Sequence, residues 1–306
     1  MKALKFLLLA LVGLVVIYGI RQEFRAIPTI ARPIKAGAAD DTPNQPPTPL
    51  RLLARDGYFS PGLLADAEAA LGIRIELTLY SSDHECRDRL DSDATWDLLL
   101  VPDYQARMLD RQNRSYDIDY EHIPNHDNLE RSLPTQREMG DLLRCAVPLF
   151  FTTIGLGYDL DYVGTIPQSW EALFRPANAP LLRGNLGLLN SARRGLGVAL
   201  IALGKSPNSR DPADVKLAAD HVRQCMLALD ADMERTGRAT HGGSDYLAER
   251  LAGRKLFLTM ISSAAFSRVM ERGRSLRFAS PSEGSLVCID SLVIPRYTRD
   301  RPKAED

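Results

Sequence analysis

An excess of positive charge, paired cysteines and clustered histidines are all missing from this sequence, and each absence removes a class of function. The net charge is -1, so the chain offers no basic face for a nucleic-acid backbone, and no nucleic-acid partner is expected. Its four cysteines, Cys86, Cys145, Cys225 and Cys288, stand singly. None forms a C-x-x-C pair, and no Cys/His spacing suits zinc. Four in 306 residues do not make a disulfide framework, so they read as buried free thiols. His122 and His126 are interrupted by Pro124, which breaks the helix that would bring both to one metal. His84-Glu85 is followed by Asp88 where an H-E-x-x-H motif needs its second histidine. Near Gly204-Lys205-Ser206 a phosphate-binding loop is suggested, but Ala199 replaces the first glycine and the segment ends a helix instead of opening one. His241 to Tyr246, HGGSDY, lacks the strand-turn-helix context of a nucleophile elbow. No metal, no cofactor and no catalytic constellation is called for, and the chain does not read as an enzyme.

Apolar residues make up 45% and charged residues 25% of the chain, which is globular. Its length suits two lobes better than one small core. Lys2 and Lys5 precede an unbroken apolar run from Phe6 to Ile20. Residues 1–25 therefore read as a signal or membrane anchor. The run ends Tyr18-Gly19-Ile20-Arg21, a poor cleavage site without a lipobox cysteine, which favours the uncleaved anchor. In either case the remainder is exported. Residues 26–49 hold six prolines, Pro28, Pro33, Pro43, Pro46, Pro47 and Pro49, and no periodic pattern, as in a semi-extended tether.

The folded part begins with a short apolar run at Leu50–Leu53. Ser60 and Pro61 open a helix whose apolar face is Leu63, Leu64, Ala67, Ala70 and Leu71, and Gly72 closes it. Ile73 to Tyr80 alternates with period two, a strand. A helix from Asp83 to Leu90 and a continuous apolar strand from Trp96 to Val101 follow. This β-α-β-α-β order predicts a parallel, doubly wound sheet, with any ligand outside the carboxyl ends of its strands. Further on, strands are expected at Cys145–Gly157, Leu256–Ile261 and Leu286–Ile294. Helices are expected at Trp170–Phe174, capped by Ser169, at Arg193–Gly204, from Asp211 or Asp214 to Arg235, at Asp245–Leu251 and at Ala264–Arg272.

Five segments, in order, are similar to the spermidine/putrescine-binding periplasmic proteins of ABC transporters: YFSPGLLADAEAALGIRIELTLY, WDLLLVPDY, AVPLFFTTIGLGYD, SWEALFRP and GSLVCIDSLVIP. They span about residues 50 to 295. The resemblance implies an α/β, two-lobed periplasmic-binding-protein fold of type II, with doubly wound sheets joined by crossover strands. Lobe 1 would be residues 50–154 plus 274–306, and lobe 2 residues 155–273. It further implies a periplasmic solute-binding protein serving an ABC permease or a membrane sensor, tethered to the inner membrane if the N-terminal segment stays. A tethered sensor or interaction partner and a truncated, non-binding family member are the alternatives. Family members continue past the IDSLVIP strand with helices that complete the first lobe, where this sequence has the charged tail RYTRDRPKAED. Exposed apolar surface on the first lobe is the expectation that follows.

Of the family's aromatic wall the resemblance keeps Tyr58 and Tyr104, and of its carboxylates Asp290. Elsewhere the chain departs. Arg55 stands in place of an aromatic, Ile261 and Cys288 in place of tryptophans, Ser191 and Arg194 in place of an acidic pair, and Ala264 in place of a further acid. Ser244 falls in the loop leading to a second-lobe helix. A polyamine site needs carboxylates and rings. Two arginines beside a bound cation would each cost about 4 kcal/mol at ~4 Å and an effective dielectric of 20. The expected ligand is therefore an anion or a zwitterion held by Arg55 and Arg194, with Asp290 receiving any amino group, although a polyamine or other small amine remains within the class.

Overall fold

The alternating and helical patterns of the first fifty folded residues form the elements they predict. In a computed structural model, β1 (Leu50–Arg55) is followed by α1 (Pro61–Leu71), β2 (Ile75–Tyr80), α2 (Asp83–Asp91), β3 (Leu98–Pro102) and α3 (Asp103–Arg111). The structure describes residues 48–92, 95–123, 126, 139–175, 182, 184–236 and 240–305. The N-terminal anchor or signal and nearly all of the tether lie outside them. Ser60 caps α1 by accepting from the Leu63 amide, and Gly72 ends it at φ 66°, a left-handed turn that glycine enters without steric cost. β1 pairs in parallel with both β2 and β3, as the doubly wound reading requires.

A long strand, β4 (Val147–Asp159), then runs through the middle. Short α4 (Leu160–Val163) and α5 (Glu171–Phe174) lead to β5 (Leu186–Leu189), α6 (Ala192–Ala202), α7 (Pro212–Thr236), β6 (Thr240–Gly242), α8 (Ser244–Ala252), β7 (Leu258–Ser262) and α9 (Ser263–Ser267). β8 (Leu276–Ala279), β9 (Leu286–Val293) and α10 (Arg301–Glu305) complete the order. The strands lie in the sequence β2-β1-β3-β9-β4-β7-β5-β6, with β8 against β4. The first part of β4 pairs with β9 and its last residues pair with β7 and β8.

Two separate cores result. One gathers Leu53, Trp96, Leu99, Leu109 and Ile289, the other Leu156, Trp170, Leu188, Val198 and Leu258. Each buries one wound sheet against its helices, which makes the fold the two-lobed type II arrangement. Asp97, the single charge in the apolar Trp96–Val101 run, is 5% exposed. It accepts from the Arg51 amide at 3.0 Å and from the Thr298 hydroxyl at 3.2 Å, and it pairs with the Arg51 guanidinium. It thereby ties the C-terminal segment to the first sheet, and these bonds hold its carboxyl below the ordinary range against the opposing pull of burial.

Some elements differ from expectation. The helix expected at Ala264–Arg272 is broken into α9 and a 3-10 turn, Met270–Arg272. The break lets Val269 insert at 1% exposure into a small cluster with Leu251, Phe266 and Leu276. β5 was not foreseen because LGLL is short, apolar and buried at every position, so it carries no alternation to read. All four cysteines are free thiols, as expected, and Cys86, Cys145 and Cys225 are buried. Burial pushes the Cys86 and Cys225 thiols up to about 12, so they stay protonated and inert. On β4, Leu149 and Phe151 are 41% and 51% exposed.

Candidate functional site

The carboxyl ends of the parallel strands converge on one cleft of about 300 Å³. β1 ends in Arg55 and hands on to Tyr58. β2 leads to Ser82, which caps α2, so that Asp83 sits in that helix's first turn. β5 leads to Ser191, whose hydroxyl caps α6 by accepting from the Arg194 amide. β6 leads to Gly243 and Ser244 at the start of α8. These turns all face the space between the lobes, because strands in each half deliver their loops to the same side.

Arg55, Tyr58, Ser191, Arg194 and Ser244 all line this cleft. Their central partner is a residue that the sequence reading missed, Asp83. The Arg55 guanidinium lies 2.6 Å from Asp83 Oδ1, and that of Arg194 lies 3.8 Å from the same oxygen. Ser191 donates to Asp83 Oδ2 at 3.1 Å. The three side chains are only 13%, 15% and 18% exposed for Arg55, Arg194 and Asp83. Burial pushes the Asp83 carboxyl up, but the charges of Arg194 and Arg55 and the bonds from Arg55 and Ser191 outweigh it and leave it below the ordinary range. Arg55 also lies over the Tyr80 ring, 5.1 Å from its centroid. The signal for Asp83 was its position: an acid in the first turn of a helix that follows a parallel strand.

At the mouth of the cleft Arg268 pairs with Asp245. The Arg268 guanidinium lies against Gly57, where φ is 81° and an added Cβ would stand 3.3 Å from Arg268 Nη1. Asp56, also on the lining, is exposed.

Two expected site residues lie elsewhere. Asp290 is 2% exposed and sits on β9 behind Tyr58, whose hydroxyl donates to its Oδ2. It lies off the cleft lining, one side chain behind Tyr58. It is screened by Tyr58, whose ring packs on Phe150, the residue paired with Asp290 on β4. Tyr104 opens α3, where a loop was expected, and borders a neighbouring groove with the Arg193 guanidinium stacked 4.0 Å from its ring centroid. Ser244 accepts from the Ser262 amide at 3.4 Å, a bond that joins α8 to the end of β7. Among the described residues no group of histidine, cysteine, aspartate and glutamate side chains is placed to hold a metal ion.

Burial pushes the Asp290 carboxyl up, and although the Tyr58 bond, Arg55 and Arg194 pull it down, the net shift is upward. Its Oδ1 has no hydrogen-bond partner. A carboxyl raised on folding adds stability below its unfolded pKa and loses it as pH rises through the folded value. At neutral pH the ionised group is therefore a net penalty. Asp290→Asn should raise stability at pH 8 by about 1 kcal/mol, and the gain should vanish toward acid pH. Urea unfolding of the two proteins across pH checks this, and a variant less stable than the parent at pH 8 refutes it.

The profile of the family described as bacterial extracellular solute-binding protein matches residues 63–306. The putrescine/cadaverine-binding protein of Pseudomonas aeruginosa is 25% identical over 277 residues, 87% of this chain and 74% of that protein. The spermidine/putrescine-binding periplasmic protein of Salmonella typhimurium is 24% identical over 251 residues, 81% of this chain and 68% of that protein. Among solved structures, the spermidine/putrescine ABC transporter substrate-binding protein of Streptococcus pneumoniae superposes with a TM-score of 0.66 at 20% identity, over 84% of this chain and 75% of that one.

Proposed function

This chain belongs to the bacterial extracellular solute-binding protein family, and from that premise we propose that it captures a small solute between its lobes for a membrane importer of the ABC class. The solute carries a carboxylate or comparable anionic group. One observation carries this reading: Arg55 and Arg194 meet on the single carboxylate of Asp83. With Asp290 withdrawn behind Tyr58 and acting on them only through its charge, the two guanidiniums of the cleft floor have one directly paired carboxylate between them. An entering carboxylate restores the balance and forms charge-assisted bonds with forked geometry. A diammonium compound instead adds positive charge beside them. Asp56 and Asp245 at the mouth suit the amino end of a zwitterion.

The lobes divide within β4 and β9. Because β8 pairs with the Leu156–Asp159 end of β4 and Leu276 packs beside Leu251 and Phe266, we place β8 in the second lobe. The second crossing then falls within β9, whose Leu286 packs on the second core and whose Ile289 and Val293 pack in the first, later than residue 274. The periplasmic setting named for the relatives, together with the apolar run Phe6–Ile20, supports placing the lobes outside the inner membrane on an N-terminal tether.

The names of the relatives favour a second reading, polyamine capture. Thermal-shift titration with spermidine, putrescine, amino acids and dicarboxylates separates the two. Acids or amino acids should raise the melting temperature and polyamines should leave it unmoved. A spermidine shift with none from any acid would overturn the anionic reading in favour of polyamine capture.

A further inference from the structure

Beside the cleft runs a second, larger groove of about 820 Å³, between α3 on the first lobe and the start of α6 with the turn at Pro207–Arg210 on the second. Five arginines border it, Arg87, Arg107, Arg111, Arg193 and Arg210, against one aspartate, Asp103. In a chain with net charge -1 this is a local asymmetry, not a general basicity. Arg107 and Arg111 stand one helical turn apart on α3 and so share a face. Arg193 reaches the groove from the opposite lobe, its guanidinium stacked on Tyr104. Among the described residues no carboxylate pairs with Arg87, Arg111 or Arg210, which are exposed. Burial pushes the Asp103 carboxyl up, against the charges of Arg107 and Arg193.

A second observation is independent of the charges. Gln105, also on the groove lining, is 0% exposed, and neither its Nε2 nor its Oε1 has a hydrogen-bond partner. A buried amide with both ends unsatisfied is costly unless something arrives to bond it. A concave groove of this size, with convergent cations and an unmet amide, has the build of a small-ligand site.

We propose that this groove binds a small, soluble, multivalent anion, an oligophosphate or a polycarboxylate, at a site distinct from the cleft of the proposed transport solute. The guanidiniums supply paired donors to its oxygens, and Gln105 adds a directional contact. Because its cations come from both lobes, a bound anion bridges them and favours the closed arrangement.

Calorimetric titration of the full-length chain with tripolyphosphate and with citrate, at a constant ionic strength of about 150 mM, tests the proposal, with acetate as the monovalent control. One multivalent anion per chain is expected and no saturable uptake of acetate. Arg111→Ser and Arg210→Ser should each weaken uptake by about tenfold with melting temperatures unchanged in the absence of anion. Gln105→Met should also weaken it while the anion-free protein melts no lower. Arg55→Gln, which alters only the cleft, should leave anion uptake intact, so failure of the cleft reading and failure of this one are separable. The proposal is overturned by absence of saturable uptake, by uptake indifferent to Arg111→Ser and Arg210→Ser, or by tight binding of polyglutamate that neither small anion displaces. The last outcome would assign the groove to protein docking.

Discussion

Replacing Asp83 with asparagine should destabilise the protein by about 3 kcal/mol at neutral pH, the largest change expected of any single substitution in the cleft. The substitution keeps the shape of the side chain and removes only its charge. Arg55 and Arg194 are then left with 13% and 15% of their side chains exposed and no directly paired carboxylate, Asp290 acting on them only from behind Tyr58, and a buried cation without a close partner is costly. Arg55 retains its contact with the Tyr80 ring, which offsets part of the loss. The pH dependence has a definite sign. Asp83 is held below the ordinary carboxylate range in the folded state, so its stabilisation is present above the unfolded pKa and is lost as pH falls through the folded value. The parent should therefore lose stability on acidification more steeply than Asp83→Asn, and the two curves should meet at low pH. Chemical denaturation at several pH values measures this. Parallel curves for parent and variant would mean that the two arginines find their balance elsewhere.

The same residue joins the lobes. Asp83 belongs to the first half, while Ser191 and Arg194, which reach it, belong to the second. Asp83→Asn should therefore also loosen the closed arrangement. The Arg194 guanidinium is freed in the process, so a carboxylate ligand should compensate for part of the lost stability. Added ligand should narrow the gap in melting temperature between parent and variant.

Trp170→Ala should cost about 4 kcal/mol, through the second lobe. Trp170 is 0% exposed at the centre of the second core. Its indole Nε1 donates to the Gly284 carbonyl at 2.8 Å, and its amide donates to Glu283 Oε1 at 3.1 Å. Ser169 donates to the same Glu283 oxygen. These bonds clamp the turn at Glu283–Gly284, and therefore the entry to β9, onto the second lobe. Alanine removes the ring, leaves a cavity and strands the Gly284 carbonyl without its donor. Trp170→Phe, which keeps most of the volume but not the indole donor, should cost about 2 kcal/mol. Only two tryptophans occur in the chain, and Trp96 sits in the first core. Fluorescence of the variants therefore reports the first lobe alone. Urea unfolding with circular dichroism measures the whole, and a loss below about 1 kcal/mol for Trp170→Ala would show that the ring is not the centre of that core.

The local patterns carried much of the fold. Ser60 with Pro61 and Gly72, the helix expected from Arg193, and the period-two run to Tyr80 folded within a residue or two of where they pointed, because capping and alternation are interactions within a few residues. The resemblance pointed to Arg55, Tyr58, Ser191, Arg194 and Ser244, and all five line one cleft, since the ends of parallel strands are tied to the topology that orders them. Partnership was not legible. Asp83 and Arg194 are 111 positions apart in sequence, and nothing local indicates that the acid neutralises two arginines across the lobes. Nor could the sequence say that Asp290 would be screened by Tyr58, or that Arg194 would reach Asp83 while its neighbour Arg193 stacks on Tyr104. Element type follows from short-range sterics and hydrogen bonding. The charge balance of a cleft depends on which distant side chains the packed sheets bring within a few ångströms, and only the tertiary structure decides that.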